Sequence, residues 1–174
     1  MNLIQKSVFT ALFASALPAH ALDSPDHRIS VKVVLDARQA LTYSVQRNRQ
    51  AVILPSELGL QLAGANLATG LTLETISPVK AVLESYEMAV GKRRHISYRA
   101  NEQVFSVHDA AGHKMDVAFR VSNDGMALRY VVKGEGRKQF VSEATSFAFA
   151  PSAKAWLQPM QVAQTGWKNT NPAY

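Results

Sequence analysis

The sequence contains no cysteine, so no disulfide staples the chain and packing alone must hold it folded. Beyond its N-terminus it contains no apolar run long enough to span a bilayer. No stretch sustains a helical period, and neither internal repeats nor low-complexity tracts occur. No phosphate-cradling glycine loop and no G-x-S nucleophile setting is present. The formal net charge of +6 raises nucleic acid as a partner. However, the basic residues are scattered except at Lys92-Arg93-Arg94-His95, with no aromatic ladder or helix-turn-helix beside them. No nucleic-acid partner is therefore expected. The cluster reads as a solvated strand or a contact with a neighbouring domain.

Residues 1–21 have the grammar of a secretory signal. Lys6 gives a basic start, Ser7 to Leu17 an apolar core too short to cross a membrane, and Pro18 a break before the small-x-small site Ala19-His20-Ala21. A buried N-terminal helix is the bland alternative. The expectation is export to the periplasm or medium of a Gram-negative bacterium, with a mature chain that begins at Leu22 and carries no membrane span. Its length suits one domain.

What the mature chain does hold is strand after strand. The stretch from Met115 to Val132 is the clearest. Val117, Phe119 and Val121 alternate with polar residues, and Asn123-Asp124-Gly125 breaks the run. Asp124-Gly125 predicts a two-residue type I′ turn with positive φ at both positions. That turn sets Val121 opposite Leu128, Phe119 opposite Tyr130 and Val117 opposite Val132 on one face. On the other face it sets Arg120 opposite Arg129, a like-charge pair that calls for an anion above it. Ile29, Val31, Val33 and Leu35 pair with Leu41, Tyr43 and Val45 as an earlier hairpin. Further strands are expected at residues 52–54, 58–62, 71–76, 79–90, 95–98, 104–107, 140–141 and 146–149. Pro55 is confined to a break or an edge, residues 64–70 form a loop, and turns lie at 109–114 and 134–136. Such spacing predicts an all-β fold, an antiparallel β-sandwich. Residues 158–174 read as a polar connection.

Candidates for chemistry are few. Glu74, Glu84 and Glu87 are carboxylates of the type a glycosidase needs in pairs, but nothing in their spacing sets two across a cleft. They read as surface charges on strand edges. His108, Asp109, His113 and Asp116 have the residue types of a metal cluster without metal-ligand spacing, and polar residues are expected in such a turn anyway. Trp156, Trp167 and Tyr174 could stack on a sugar ring or await a partner domain. No catalytic, cofactor-binding or metal-binding residue is assigned.

The run Phe119-Arg120-Val121-Ser122-Asn123-Asp124-Gly125-Met126-Ala127-Leu128-Arg129-Tyr130 resembles the "FRVYNDGVAFRY" hairpin in the N-terminal domain of glycoside hydrolase family 97. Ser24-Pro25-Asp26 resembles that domain's opening, and Leu54-Pro55-Ser56-Glu57-Leu58-Gly59-Leu60 is similar to its "PSPLGLEL" segment. Ala155-Trp156-Leu157-Gln158-Pro159 is similar to its "ATAWWIP" passage, with Leu157 in place of the second tryptophan. The segments are colinear over nearly all of the mature chain. The resemblance implies a super-sandwich at residues 22–157 that precedes a (β/α)₈ catalytic barrel in exported α-glucosidases or α-galactosidases. It further implies that the catalytic carboxylates and most of a calcium site lie on that barrel, beyond Tyr174. The chain would then be a non-catalytic domain that packs on the barrel and frames an α-linked carbohydrate. The rival reading is an independent exported carbohydrate- or protein-binding module.

Overall fold

The computed structural model describes residues 20–156, all of whose regular elements are β-strands. In chain order they are β1 (His20–Asp23), β2 (Ile29–Leu35), β3 (Leu41–Arg47), β4 (Gln50–Glu57), β5 (Leu60–Leu62), β6 (Ala65–Leu67), β7 (Thr72–Ile76), β8 (Lys80–Glu87), β9 (His95–His108), β10 (Lys114–Ser122), β11 (Met126–Val132) and β12 (Phe140–Glu143). They form three antiparallel sheets: β1-β2-β3-β4, β11-β10-β9-β7 with β8 also on β9, and the small β12-β5-β6. No described helix is long and apolar enough to cross a membrane. Of the expected signal, residues 1–19 lie outside the described residues, while His20 and Ala21 pair with Val33 and Lys32 in β1–β2. The polar connection at 158–174 also lies outside them.

The alternation read from the sequence builds the core. Val31 and Val33 of β2 and Tyr43 of β3 face Phe105 and Val107 of β9 and Val117, Phe119 and Val121 of β10, all buried in one cluster. Phe119 lies edge-on to Phe105 at 5.8 Å and tilted against Tyr43 at 6.1 Å, which locks the two large sheets together. The small sheet adds Leu60 and Leu67 to the same cluster, and Leu58 joins them from the link between β4 and β5. Tyr130 of β11 ties the seam, since its hydroxyl accepts from the Gly59 amide at 3.0 Å and pairs with Thr145 Oγ1 at 2.6 Å.

Several expectations are corrected. The central hairpin keeps its faces but not its register: Val121 pairs with Met126, Phe119 with Leu128 and Val117 with Tyr130. The Ser122 amide donates to Gly125 O at 2.9 Å, so Asn123-Asp124 is the connection. None of Asn123, Asp124 and Gly125 has positive φ. The Ser122 hydroxyl, bonded to Asp124 and to Gly125 O, holds this other turn, a local competition that Ser and Asp side chains often win. Both central φ values are positive instead at Asn48 (51°) and Arg49 (65°), between paired Arg47 and Gln50. Residues 64–70, expected as a loop, contain β6. Residues 95–98 and 104–107, expected as two strands, belong to one 14-residue strand. Residues 146–149 form no strand, only the bridge of Ala148 to Leu54. Pro55 lies within edge strand β4, in the bulge between the Tyr43–Ser56 and Val45–Ile53 pairs, where its missing N–H breaks no regular ladder.

Gly59 is the glycine the fold demands. Its φ is +142°, and a Cβ there would sit 2.4 Å from Ala68 Cα and 2.7 Å from Leu67 O. The closeness of β5 to the end of β6 depends on its missing side chain. Gly125, by contrast, has nothing within 4 Å of an added Cβ.

Candidate functional site

Because side chains alternate, residues 118 and 120 of β10 stand on the face of the five-stranded sheet opposite the core. Ala118 and Ala127 give this face a low floor between Arg120, Arg129 and Glu102. Arg120 does not oppose Arg129 as expected; Ala127 stands opposite Arg120, and Ala118 opposite Arg129. The anion over Arg120 comes from the sheet itself. Glu102, its partner across β9–β10, accepts from Nε at 3.0 Å and Nη2 at 2.8 Å, and Glu84 of β8 accepts from Nη1 at 3.1 Å. The bond to Glu102 is the main reason the guanidinium's pKa stands above its ordinary value. Arg129 makes no ion pair among the described residues.

The carboxylates singled out from the sequence come to separate places. Glu74 meets Lys114 Nζ at 2.7 Å, and that hydrogen bond holds its carboxyl below the usual range. Glu84 lies on Arg120 at 3.1 Å, and Glu87 on Arg94 at 3.4 Å and His95 at 3.1 Å. Each is tied to a cation, an arrangement that neutralises charge rather than poising a proton donor. Sequence reasoning missed Glu102, the residue that completes the arginine clamp. Its signal was parity: in an antiparallel neighbour it falls on the outward face with Arg120.

The His108–Asp116 group is a turn. Asp109 Oδ1 accepts from the Ala111 amide at 3.0 Å and the His113 amide at 2.9 Å, while Oδ2 faces His113 Nδ1 at 2.8 Å. Burial pushes the Asp109 carboxyl up, but these partners hold it below its ordinary value. Asp116 is similarly pushed up by burial and held down by Lys133 and Ser106. Its oxygens, like those of Asp109, are taken, so these residues do not fit calcium. Among the described residues no three His, Asp or Glu side chains are grouped to hold a metal ion. Trp156 is 88% exposed; Trp167 and Tyr174 lie outside the described residues.

A family model described as "Glycosyl-hydrolase 97 N-terminal" matches residues 22–174. The chain belongs to this family. Its sequence is 39% identical over 156 residues to a probable retaining alpha-galactosidase of Streptomyces bingchenggensis (strain BCW-1), covering 84% of this chain and 24% of that protein. Its fold is similar to that of a beta-arabinopyranosidase crystal structure, with a TM-score of 0.78 and 27% identity over 86% of this chain and 24% of that one. A Glycoside Hydrolase Family 97 enzyme from Pseudoalteromonas sp. strain K8, in complex with panose, shares the fold at a TM-score of 0.69 and 20% identity, over 76% of this chain and 21% of that one. This glycosyl-hydrolase 97 N-terminal domain thus spans about a quarter of the length of the relatives it matches.

Proposed function

We propose that this chain is the non-catalytic N-terminal domain of an α-glycosidase, packing on a (β/α)₈ catalytic barrel and framing the site for an α-linked carbohydrate. One observation carries the reading: nearly the whole described sandwich matches a quarter of each relative, which leaves most of a glycosidase's length to another part. The geometry agrees, because Glu74, Glu84 and Glu87 are spent on Lys114, Arg120, Arg94 and His95. Calcium, if the full-length protein uses it, is held by residues outside this sandwich. The purified chain should hydrolyse neither p-nitrophenyl α-galactoside nor the α-glucoside. Turnover that follows the protein through purification overturns the reading.

The same reading carries export to the periplasm or medium. Leu22 is sealed in the core at 1% exposure, so a signal cleaved after Ala21 keeps that core residue while removing the His20–Val33 and Ala21–Lys32 pairs of β1. N-terminal sequencing of the exported protein should begin at Leu22. An intact Met1 on cytoplasmic protein overturns export.

A further inference from the structure

Strand β8 and the first half of β9 leave the sandwich as a two-stranded ribbon. They pair without a break from Lys80–Glu102 to Glu87–His95, and the Met88 amide donates to Arg94 O at 2.7 Å near the tip. On its other flank β9 is paired with β10 only as far as Ala100. Residues directly paired share a face, so Tyr86 and Ile96, and Glu84 and Tyr98, stand together on the outer side. That side continues the face of Arg120, which holds Glu84. Along it Tyr86 is 49% exposed and Met88 44%, and Val90 at the tip is 79% exposed. A lone two-stranded ribbon is marginal in water, and a row of bare apolar side chains on it marks a surface built to be covered.

We propose that this ribbon is a docking arm, and that its outer face seats on the polypeptide that follows this domain in its glycosyl-hydrolase 97 relatives. The inference rests on the reading of the chain as one domain of a larger glycosidase. The match to 24% of the Streptomyces protein leaves most of that protein to supply the seat. Charge selects among occupants: Arg94 and His95 share Glu87, but Lys92 and Arg93 have no acidic partner among the described residues. A second copy of a chain with net charge +6 would bring the same basic tip against them. The seat is therefore an apolar patch rimmed with carboxylates.

The test titrates the full chain against the catalytic portion of the Streptomyces protein, once that portion shows cooperative unfolding of its own. Replacing Tyr86, Met88 and Val90 together by serine should weaken binding about tenfold or more without moving the unfolding midpoint. Lys92→Glu with Arg93→Glu should weaken it too and flatten its salt dependence. Val52→Ser, on the other large sheet, should change nothing. Where the catalytic portion does not fold alone, a chimera with this chain in place of the matched segment serves. Tyr86 and Met88 should then be protected from hydroxyl-radical labelling. Full-strength binding by the triple-serine variant, or labelling in the chimera as fast as in the free chain, overturns the arm and leaves the domain reading standing. A wild-type chain that does not bind overturns both. If the triple substitution abolishes binding of panose but not of protein, the face is a sugar platform and the docking arm falls.

Discussion

Strand β9 passes through two environments within its 14 residues. Toward His108 it has β10 on one flank and β7 on the other, and Phe105 and Val107 are sealed against the facing sheet. Toward His95 it has β8 alone, and of that strand only Val82 is buried. The inner half carries two backbone ladders and the outer half, beyond Ala100, only one, yet the extra hydrogen bonds are the smaller part of the difference. Each such bond nets only about 1 kcal/mol, because the unfolded chain bonds to water. A buried phenylalanine gains roughly 1.5–3 kcal/mol from apolar area removed from water. Pairing shapes the ribbon, whereas burial against a second sheet makes the domain.

The contrast breaks most visibly at Phe105. Phe105→Ala should cost about 3–5 kcal/mol, as large-to-small core changes do, read as a shift in the denaturant midpoint at unchanged slope. A shift under about 1 kcal/mol would mean that this half of β9 is no more committed than the arm. Gly59→Ala should come next, at about 2–4 kcal/mol. It adds overpacking against Ala68 to a positive φ that L residues resist, and a calorimetric melt would report it.

Acid should weaken the sandwich through its lowered carboxyls. Burial raises the Asp116 carboxyl, but Lys133 and Ser106 outweigh it, so the folded pKa lies below the ordinary 3.8. A carboxyl lowered on folding stabilises fully above its unfolded pKa and loses that contribution as pH falls through the folded value. Asp26 behaves likewise, lowered to about 2 by Ser24 and Arg28. The unfolding midpoint should therefore drop below a pH near 3.8, and Asp116→Asn should make that drop shallower. An unchanged acid limb in the variant would remove Asp116 from the account.

The smallest effects belong to exposed positions. Tyr86→Ser should move stability by no more than about 0.5 kcal/mol, and ribbon amides at Ser97 and Arg99 should exchange with deuterium well before those of Phe105 and Val107. Equal protection would erase the comparison. Gly125→Ala should also be nearly neutral, because no positive φ and no close neighbour stand in its way.

That last expectation shows where the sequence was legible. Period-2 alternation reports which residues face the core, and it did so correctly for Val117, Phe119 and Val121 and for the β2–β3 hairpin. A shift by two residues preserves every face, so alternation is blind to the difference between Leu128 and Tyr130 opposite Phe119. The turn had to decide, and the Ser122 hydroxyl outweighed the Asp-Gly signal. Asn48-Arg49 takes the primed geometry without a glycine; asparagine's tolerance of positive φ accounts for Asn48, and nothing in the structure explains Arg49. At the site, the anion was expected over an Arg120–Arg129 pair that the register does not make; it lies over Arg120 alone, and its source was hidden because Glu102 lies on a strand that the sequence divides in two. The family resemblance supplied the domain's identity, which alternation alone could not.

The seam that closes the sandwich has a consequence in time. Tyr43 donates to Ser146 O across 103 residues at 3.0 Å, and the Glu57 amide donates to Ser146 Oγ across 89 residues at 2.8 Å. Closing loops of that length costs entropy before any contact repays it, which places such topologies among the slower folders, at milliseconds to seconds. A chain emerging N-terminus first can zip β1 to β4 early, yet its first sheet cannot gain the Ser146 contacts until the last strands arrive. Ser146 is thus a latch that engages late, joining the first sheet to the end of the fold only after both have been made.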